Sequence, residues 1–233
     1  MHGLGIGWCD VGFHRLDVGD VSEASNTASV LIATYGEDEW RDLAWSRAYP
    51  SAHAQAEDVA CFHDPEGTIA SVRNEMAQTA RGDWLLFLDA DDELAPGYLD
   101  AMTRAVERVG DGAYLLTPAV QQIKKGRPGK PFFFDTGRSL TEDNWLVVGT
   151  LVQRDLFLEV GGFNDLPHGF EDWSLWAKCW KAGAEIVKVP EAVYIAHVNP
   201  QSKHRQGWRD SKWQVATHMR VVAELEAWER SRA

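Results

Sequence analysis

Cysteine is scarce and poorly placed for covalent structure: Cys9, Cys61 and Cys179 are odd in number, far apart and in no CxxC pair. That spacing excludes a disulfide framework and a zinc site, and it is the usage expected in a reducing compartment. Long apolar runs are also missing. None approaches the roughly 18 residues of a membrane span, and the first residues lack the apolar core of a secretory leader. Basic charge is in deficit, with 23 Lys and Arg against 35 Asp and Glu and a formal net charge of -12. A broad nucleic-acid surface needs clustered cations and is therefore excluded, whereas one local basic site for an anionic ligand is not. The expectation is a cytoplasmic protein with no nucleic-acid partner and no membrane span.

Tryptophan, by contrast, is plentiful, at 11 of 233 residues, several at helical spacing and so assigned mainly to the core. Residues 1–28 carry Gly, Asp and Ser among isolated apolars without a period and read as an N-terminal arm. "SVLIATYG" (29–36), "DVACFHD" (58–64) and the run 84–88 read as buried strands. Between them lie a helical stretch over 40–52 and a helix from the N-cap Thr68 to Ala80 with Ile69, Val72, Met76 and Ala80 on one face. "APGYLDAMTRAVERVG" (95–110) is a helix stopped by Gly110. "AYLLTPAV" (113–120) and "NWLVVGTLV" (144–152) read as strands, with a loop carrying three exposed Phe over 124–137 between them. A short helix follows over 153–163, then a tryptophan-striped helix over 172–182, two short strands in "EIVKVP" and "AVYIAH", and a helical C-terminus. Alternating strand and helix implies parallel βαβ units, because parallel neighbours require crossover connections. The fold class is α/β, three-layered, with ligands at the carboxyl ends of the strands.

Apolar "LLFL" (85–88) runs straight into Asp89, Asp91, Asp92 and Glu93. Side chains at i and i+2 of a strand point the same way, so Asp89 and Asp91 can face one point. Two carboxylates that close repel, and one takes up a proton unless a cation lies between them. Hard oxygen donors suit Mg²⁺ or Mn²⁺, ions that also bind substrate phosphates. The competing interpretation is a solvated acidic turn leading into the next helix.

Four segments in order, "SVLIATYG", "GTIASVRNEMAQTARGDWLLFLDADDEL", "VGGF" and "HGFEDWSLWAKCWKAG", resemble the family 2 glycosyltransferases of GT-A fold. The resemblance runs from about Ser29 to Arg205 and implies a GT-A domain over 29–205 with a mostly parallel central sheet, followed by a C-terminal helical extension over 206–233. Carried over position by position, it places Ala33, Thr34 and Tyr35 against the nucleotide base and Asp64 on the base or ribose, although His63-Asp64-Pro65 departs from the family's usual acidic pair. Arg73 answers to the family's basic residue near the diphosphate, Asp89 and Ala90 to the donor contacts, and Asp91 to the metal ligand, with Asp92 able to substitute.

The same resemblance makes Asp172 the base that removes the acceptor hydroxyl's proton, with Glu171 and Trp173 on acceptor or donor sugar. Helix capping by Asp172 is compatible with that role. It puts His197 on the metal or diphosphate, with His204 and Arg205 nearby and His168 facing the acceptor or finishing a loop. The activity implied is metal-dependent inverting transfer, with Mn²⁺ or Mg²⁺, of a sugar from a nucleotide-diphosphate donor, by family frequency a UDP-sugar. The acceptor's hydroxyl could belong to a carbohydrate, lipid or protein. The 124–137 loop is either a cover for that site or an ordinary surface loop, and the C-terminal helix either packs on the domain or pairs two copies. Two other functions stay open: a non-catalytic sugar-nucleotide or carbohydrate binder on the same fold, and a haloacid-dehalogenase-type phosphatase. The latter places Gly after its second aspartate, where this chain has Asp92.

Overall fold

The first strand, β1 (Ala28–Tyr35), is a run of aliphatic residues buried on both faces, with Val30 to Ala33 all inside. Such a strand needs cover above and below, which dictates an α/β architecture. The computed structural model describes residues 27–166, 169–198 and 211–232, so the expected arm over 1–28 lies almost wholly outside them, as do His168, His204 and Arg205. In chain order, α1 (Asp38–Leu43) continues through a π turn (Ala44–Ala48) into α2 (Tyr49–His53); then come β2 (Val59–Asp64), α3 (Ile69–Thr79), β3 (Trp84–Phe87), β4 (Glu93–Leu94) and α4 (Tyr98–Val106). The second half has β5 (Tyr114–Lys124), β6 (Arg127–Pro128), β7 (Leu151–Gln153), α5 (Arg154–Glu159), α6 (Glu171–Lys181), β8 (Glu185–Val198) and α7 (Ser211–Arg232). None of the described helices is long and apolar enough to cross a membrane.

The sheet runs β2-β1-β3-β7-β5-β8-β4, with β6 hydrogen-bonded to β5. Parallel pairing joins β1 to β2, β1 to β3 and β5 to β8. β7 lies antiparallel to both β3 and β5, and β4 and β6 are antiparallel to their neighbours. The sheet is therefore mixed, a correction to the expected mostly parallel one. The reason lies in the connections: β7 is entered from a long loop rather than a crossover helix, so nothing forces it parallel. α3 packs on β1 and β2, α4 on β8 and β5, and α7 on α6, where Val221 and Leu225 are buried.

Local signals explain most elements. Thr68 caps α3 by accepting from Ser71 N at 3.2 Å, and Ser71 Oγ accepts from Thr68 N at 2.9 Å, a reciprocal capping box. α4 buries Tyr98, Leu99, Met102, Ala105 and Val106 as one stripe. It starts after Gly97, whose φ of 82° a side chain would oppose, so Pro96 precedes the helix rather than sitting in it. The expected strand over 144–152 shrinks to Leu151–Gln153, because Thr150 N bonds Val147 O at 2.9 Å and turns the chain. Leu146 and Val148 are buried there by packing rather than by pairing. The two short strands expected near the end are one, β8, with its irregularity opposite Pro118 and Ala119. The 124–137 segment forms a hairpin arm on β5, and Phe132 bridges Val120.

Gly149 is wedged on the Tyr194 ring, and its carbonyl accepts the buried Tyr98 hydroxyl. A methyl group there would overlap Tyr194 Cδ2 and Cε2. Gly149→Ala should lower stability by about 1–3 kcal/mol, the usual cost of overpacking a close-packed site, read as a shifted urea midpoint at unchanged slope.

Candidate functional site

Leu88 ends the apolar run, and its N–H still bonds Leu31 O at 3.0 Å, which holds the next residues at the carboxyl end of the sheet. There the chain turns, with Asp92 N donating to Asp89 O at 3.1 Å. Asp89, Asp91 and Asp92 converge so that one carboxylate oxygen from each lies within 4.8 Å of the others. Asp92 is held from behind: its Oδ1 accepts from His197 N at 2.8 Å, and it shares a hydrogen bond with the buried Tyr194 hydroxyl. Arg47, from the π turn, donates to Asp91 O at 2.9 Å.

This crowding has an electrostatic signature. Burial, then the charge of Asp89, pushes the Asp91 carboxyl up to about 6. Burial, followed by Asp89 and Asp91, drives Asp92 well above the usual carboxylate range. The loop is built of carboxyl groups that repel one another, a condition a divalent cation would relieve.

Beside the acids lies Arg73, on α3 and only 4% exposed. Its Nη2 donates to Asp89 Oδ1 at 2.6 Å and its Nη1 to Glu171 Oε1 at 2.8 Å. Burial alone would lower its pKa, but Asp89, Glu171 and Asp172 outweigh that and raise it. The guanidinium lies 5.1 Å from the centre of the Phe163 ring. Asn74 fixes that ring from the main chain, donating to Phe163 O at 2.9 Å and accepting from Phe163 N at 2.8 Å. Lys178, buried on α6 and pushed down to about 8 by burial, binds Gly162 O and Asn164 Oδ1 in the same turn. "RN" and "VGGF" are thus one unit: Asn74 and Lys178 hold the turn, the turn presents Phe163, and Phe163 covers Arg73.

α6 starts abruptly. Gly169 and Phe170 have φ of 93° and 71°, and Phe170 is a side-chain-bearing residue in the left-handed region, a conformation that costs energy and persists only under tertiary constraint. The N-cap position falls to Phe170, so Asp172 sits inside the first turn. Its Oδ1 accepts from Trp173 N at 2.7 Å and its Oδ2 from Asn144 Nδ2 at 3.1 Å. The two donors fix the carboxylate's orientation at the N-terminus of the helix.

The other sequence-derived candidates fall around this centre. Tyr35 and Asp64 are register partners at the ends of β1 and β2, Tyr35 with 46% of its surface exposed. Asp64 Oδ1 accepts from Glu66 N at 3.0 Å in its turn. Ala33 and Thr34 are buried, with Thr34 Oγ1 3.0 Å from His63 Nδ1. Ala90 is buried within the acidic turn. His197 reaches the cluster through its main chain, while its Nε2 lies 2.6 Å from Glu93 Oε1; among the described residues the metal-capable group comprises the three aspartates without it. Trp173 is buried and donates through Nε1 to Leu140 O at 2.6 Å, between Phe170 and His218. Sequence reasoning missed Arg47, Asn144 and Tyr194, none of which belongs to a local pattern.

Residues 41–154 match the family model described as glycosyl transferase family 2. That stretch, just under half of this chain, is what is similar to the family. An uncharacterized glycosyltransferase of Haemophilus influenzae is 28% identical over 119 residues, 47% of this chain and 40% of that protein. Among solved structures, S. aureus TarS 1–349 in complex with UDP-GlcNAc superposes with a TM-score of 0.56 at 16% identity, covering 85% of this chain and 66% of TarS 1–349. A longer S. aureus TarS structure gives 0.53 at 16% identity, covering 75% of this chain and 37% of its own. The chain thus spans well under half of the curated relative and of that longer TarS chain. The TarS likeness shows the fold: this chain has the curled α/β GT-A architecture with a mixed sheet.

The sign of the acid-cluster electrostatics gives a test. A carboxyl raised to about 6 costs the metal-free protein stability once ionised; that cost is absent below about pH 4, grows as pH rises to 6 and is full above it. Asp91→Asn should therefore raise the metal-free melting temperature at pH 7.5, and the gain should vanish near pH 4. Equal melting temperatures of variant and parent at pH 7.5 would contradict the crowding.

Proposed function

We propose that this chain is a metal-assisted inverting glycosyltransferase that moves a sugar from a nucleotide diphosphate, a UDP-sugar by preference, to an acceptor hydroxyl. The observation that carries it is the Arg73 fork, which ties the donor-side Asp89 to Glu171 and sets Asp172 beside it. Attack from the face opposite the leaving group needs a cationic diphosphate site and a separate fixed base, and these are the two halves the fork joins. The UDP preference is supported by TarS, which is described in complex with UDP-GlcNAc and with UDP.

The aspartates fit a hard divalent cation, being oxygen donors that converge within 4.8 Å and repel without one. Asp91 and Asp89 would hold it, with Asp92, already occupied by His197 N and Tyr194, in support. Bound there, a Mn²⁺ or Mg²⁺ ion supplies Lewis-acid stabilisation of charge growing on the diphosphate. The chain's own groups do the rest. Tyr35 and Asp64 line the base end, Arg73 orients the diphosphate side, and the Asp172 carboxylate takes the acceptor's proton as the new bond forms. Trp173 N and Asn144 Nδ2 hold that carboxylate in one orientation.

Asp172→Asn should cut transfer by about 10²–10⁴-fold, the range for loss of a general base, while calorimetric affinity for UDP with Mn²⁺ stays within error. Full activity in that variant would remove the base assignment. Retained UDP binding with no turnover from any sugar nucleotide, in the parent protein, would favour the non-catalytic binder instead. For the metal, Mn²⁺ should tighten UDP binding in the parent and have little effect in Asp91→Asn. Metal-indifferent binding in the parent would refute that part.

A further inference from the structure

Between Asp111 and Asp135 the chain carries no acidic residue, and its four charged side chains there, Lys124, Lys125, Arg127 and Lys130, are all cationic. A protein of net charge -12 thus keeps one concentrated basic segment, and the hairpin arm on β5 displays it: residues 124–132 are exposed without a break. The arm is held by its main chain. Lys125 and Gly126 have φ of 51° and 73°, the paired positive values of a tight two-residue hairpin, between the register partners Lys124 and Arg127. Gly129 N donates to Gln122 O at 2.9 Å, and Phe132 and Val120 exchange main-chain bonds of 3.0 and 2.7 Å. Three phenylalanines close the segment, in unequal surroundings. Phe133 is half-buried, its ring centre 5.6 Å from Lys188 Nζ, which also bonds Asp135. Phe132 and Phe134 are each 39% exposed and meet edge to face, with 4.7 Å between ring centres.

We propose that this arm docks the protein on an anionic lipid bilayer, the Phe132–Phe134 pair entering the headgroup boundary while Lys124, Lys125, Arg127 and Lys130 meet the anionic headgroups. Attachment to a bilayer surface is marginal on one signal and firm on two, an apolar insertion and a basic patch. Residues 124–134 supply both. Phenylalanine inserts without burying a polar group, and the long basic side chains reach back to the headgroups from beside it. Charge complementarity sets the orientation, because the surface that attracts the arm repels the acidic remainder of the chain. Nucleic acid, another polyanion, fits less well: successive bases stack on aromatic faces, whereas these two rings pack edge to face at 70°. The arm is formed before contact by its own main-chain bonds, so docking loses little conformational freedom.

The test is flotation of the full chain with vesicles of phosphatidylglycerol and phosphatidylcholine in equal parts, against vesicles of phosphatidylcholine alone. The parent should float with the anionic vesicles, stay behind with the neutral ones, and lose its binding in about 1 M salt, where the screening length falls to about 3 Å. Each cation at such a surface contributes about fivefold, so Arg127→Gln combined with Lys130→Gln should weaken partitioning about thirtyfold. Phe132→Ser combined with Phe134→Ser should weaken it at least about tenfold. Both double variants should keep the parent's urea midpoint, since neither removes a main-chain bond of the arm. Should the phenylalanine variant lose stability, the charge variant decides alone. Equal flotation with both lipids, flotation with neither, or unchanged flotation in a stably folded double variant would overturn the proposal. Poly(U) bound as tightly as the anionic vesicles, or a dimer that the phenylalanine variant dissolves, would also overturn it and assign the arm to that occupant.

Discussion

A guanidinium withdrawn almost completely from water is an expensive object, tolerated only when its charge is answered and its donors are used. Arg73 meets both conditions with carboxylates from opposite halves of the chain, Asp89 sixteen residues on and Glu171 ninety-eight residues on. The pair of contacts locks the carboxyl end of β3 to the N-terminus of α6. Every other feature of the centre depends on that lock: the position of Asp172 one residue beyond Glu171, the placement of Asp89 at the carboxyl end of the sheet, and the seat of Phe163 on the guanidinium face. Removing one partner would leave a buried charge unanswered, a more damaging change than never having built the site.

The surrounding contacts read as supports for that lock. Asn74 grips both main-chain polar atoms of Phe163, and Lys178 fills the far side of the same glycine turn. The strained φ of Phe170 is the cost of starting α6 at the point where Glu171 reaches Arg73. The fold and the geometry of the centre are thus specified by overlapping residues, the ones in the short strings that carry the resemblance.

Legibility followed locality. β1, α3 and β3 could be read from sequence because their apolar patterns go with their burial, and Thr68 alone marked the helix start, its exchange with Ser71 appearing only in the structure. The acidic strand end, Arg73 and the Glu171-Asp172 pair were legible as motifs, and the structure brings them together. What escaped is non-local. The two-residue strand β4 has no period to detect, and it exists because β8 pairs with it 102 residues later at Glu93 and Ile195. Asn144 reaches Asp172 across 28 residues, and His197 reaches Asp92 across 105, through its main chain rather than through the ring that drew notice. The loop 144–150 misled because burial makes a stretch apolar whether or not it pairs with a neighbour.

The strand order carries a geometric consequence. β3 and β4 are separated by only five residues, 88–92, yet three strands, β7, β5 and β8, intervene between them in the sheet. In a flat sheet that gap would be about 19 Å, nearly the full reach of about 20 Å for so short a stretch drawn taut. The stretch is not taut, since Asp92 folds back on Asp89. The sheet must therefore roll toward closure, and the acidic turn is the tie that holds its rim against its middle. Lengthening 88–92 by even a residue or two would slacken that tie, so the curvature of the whole molecule and the spacing of three carboxylates are set by the same short piece of chain.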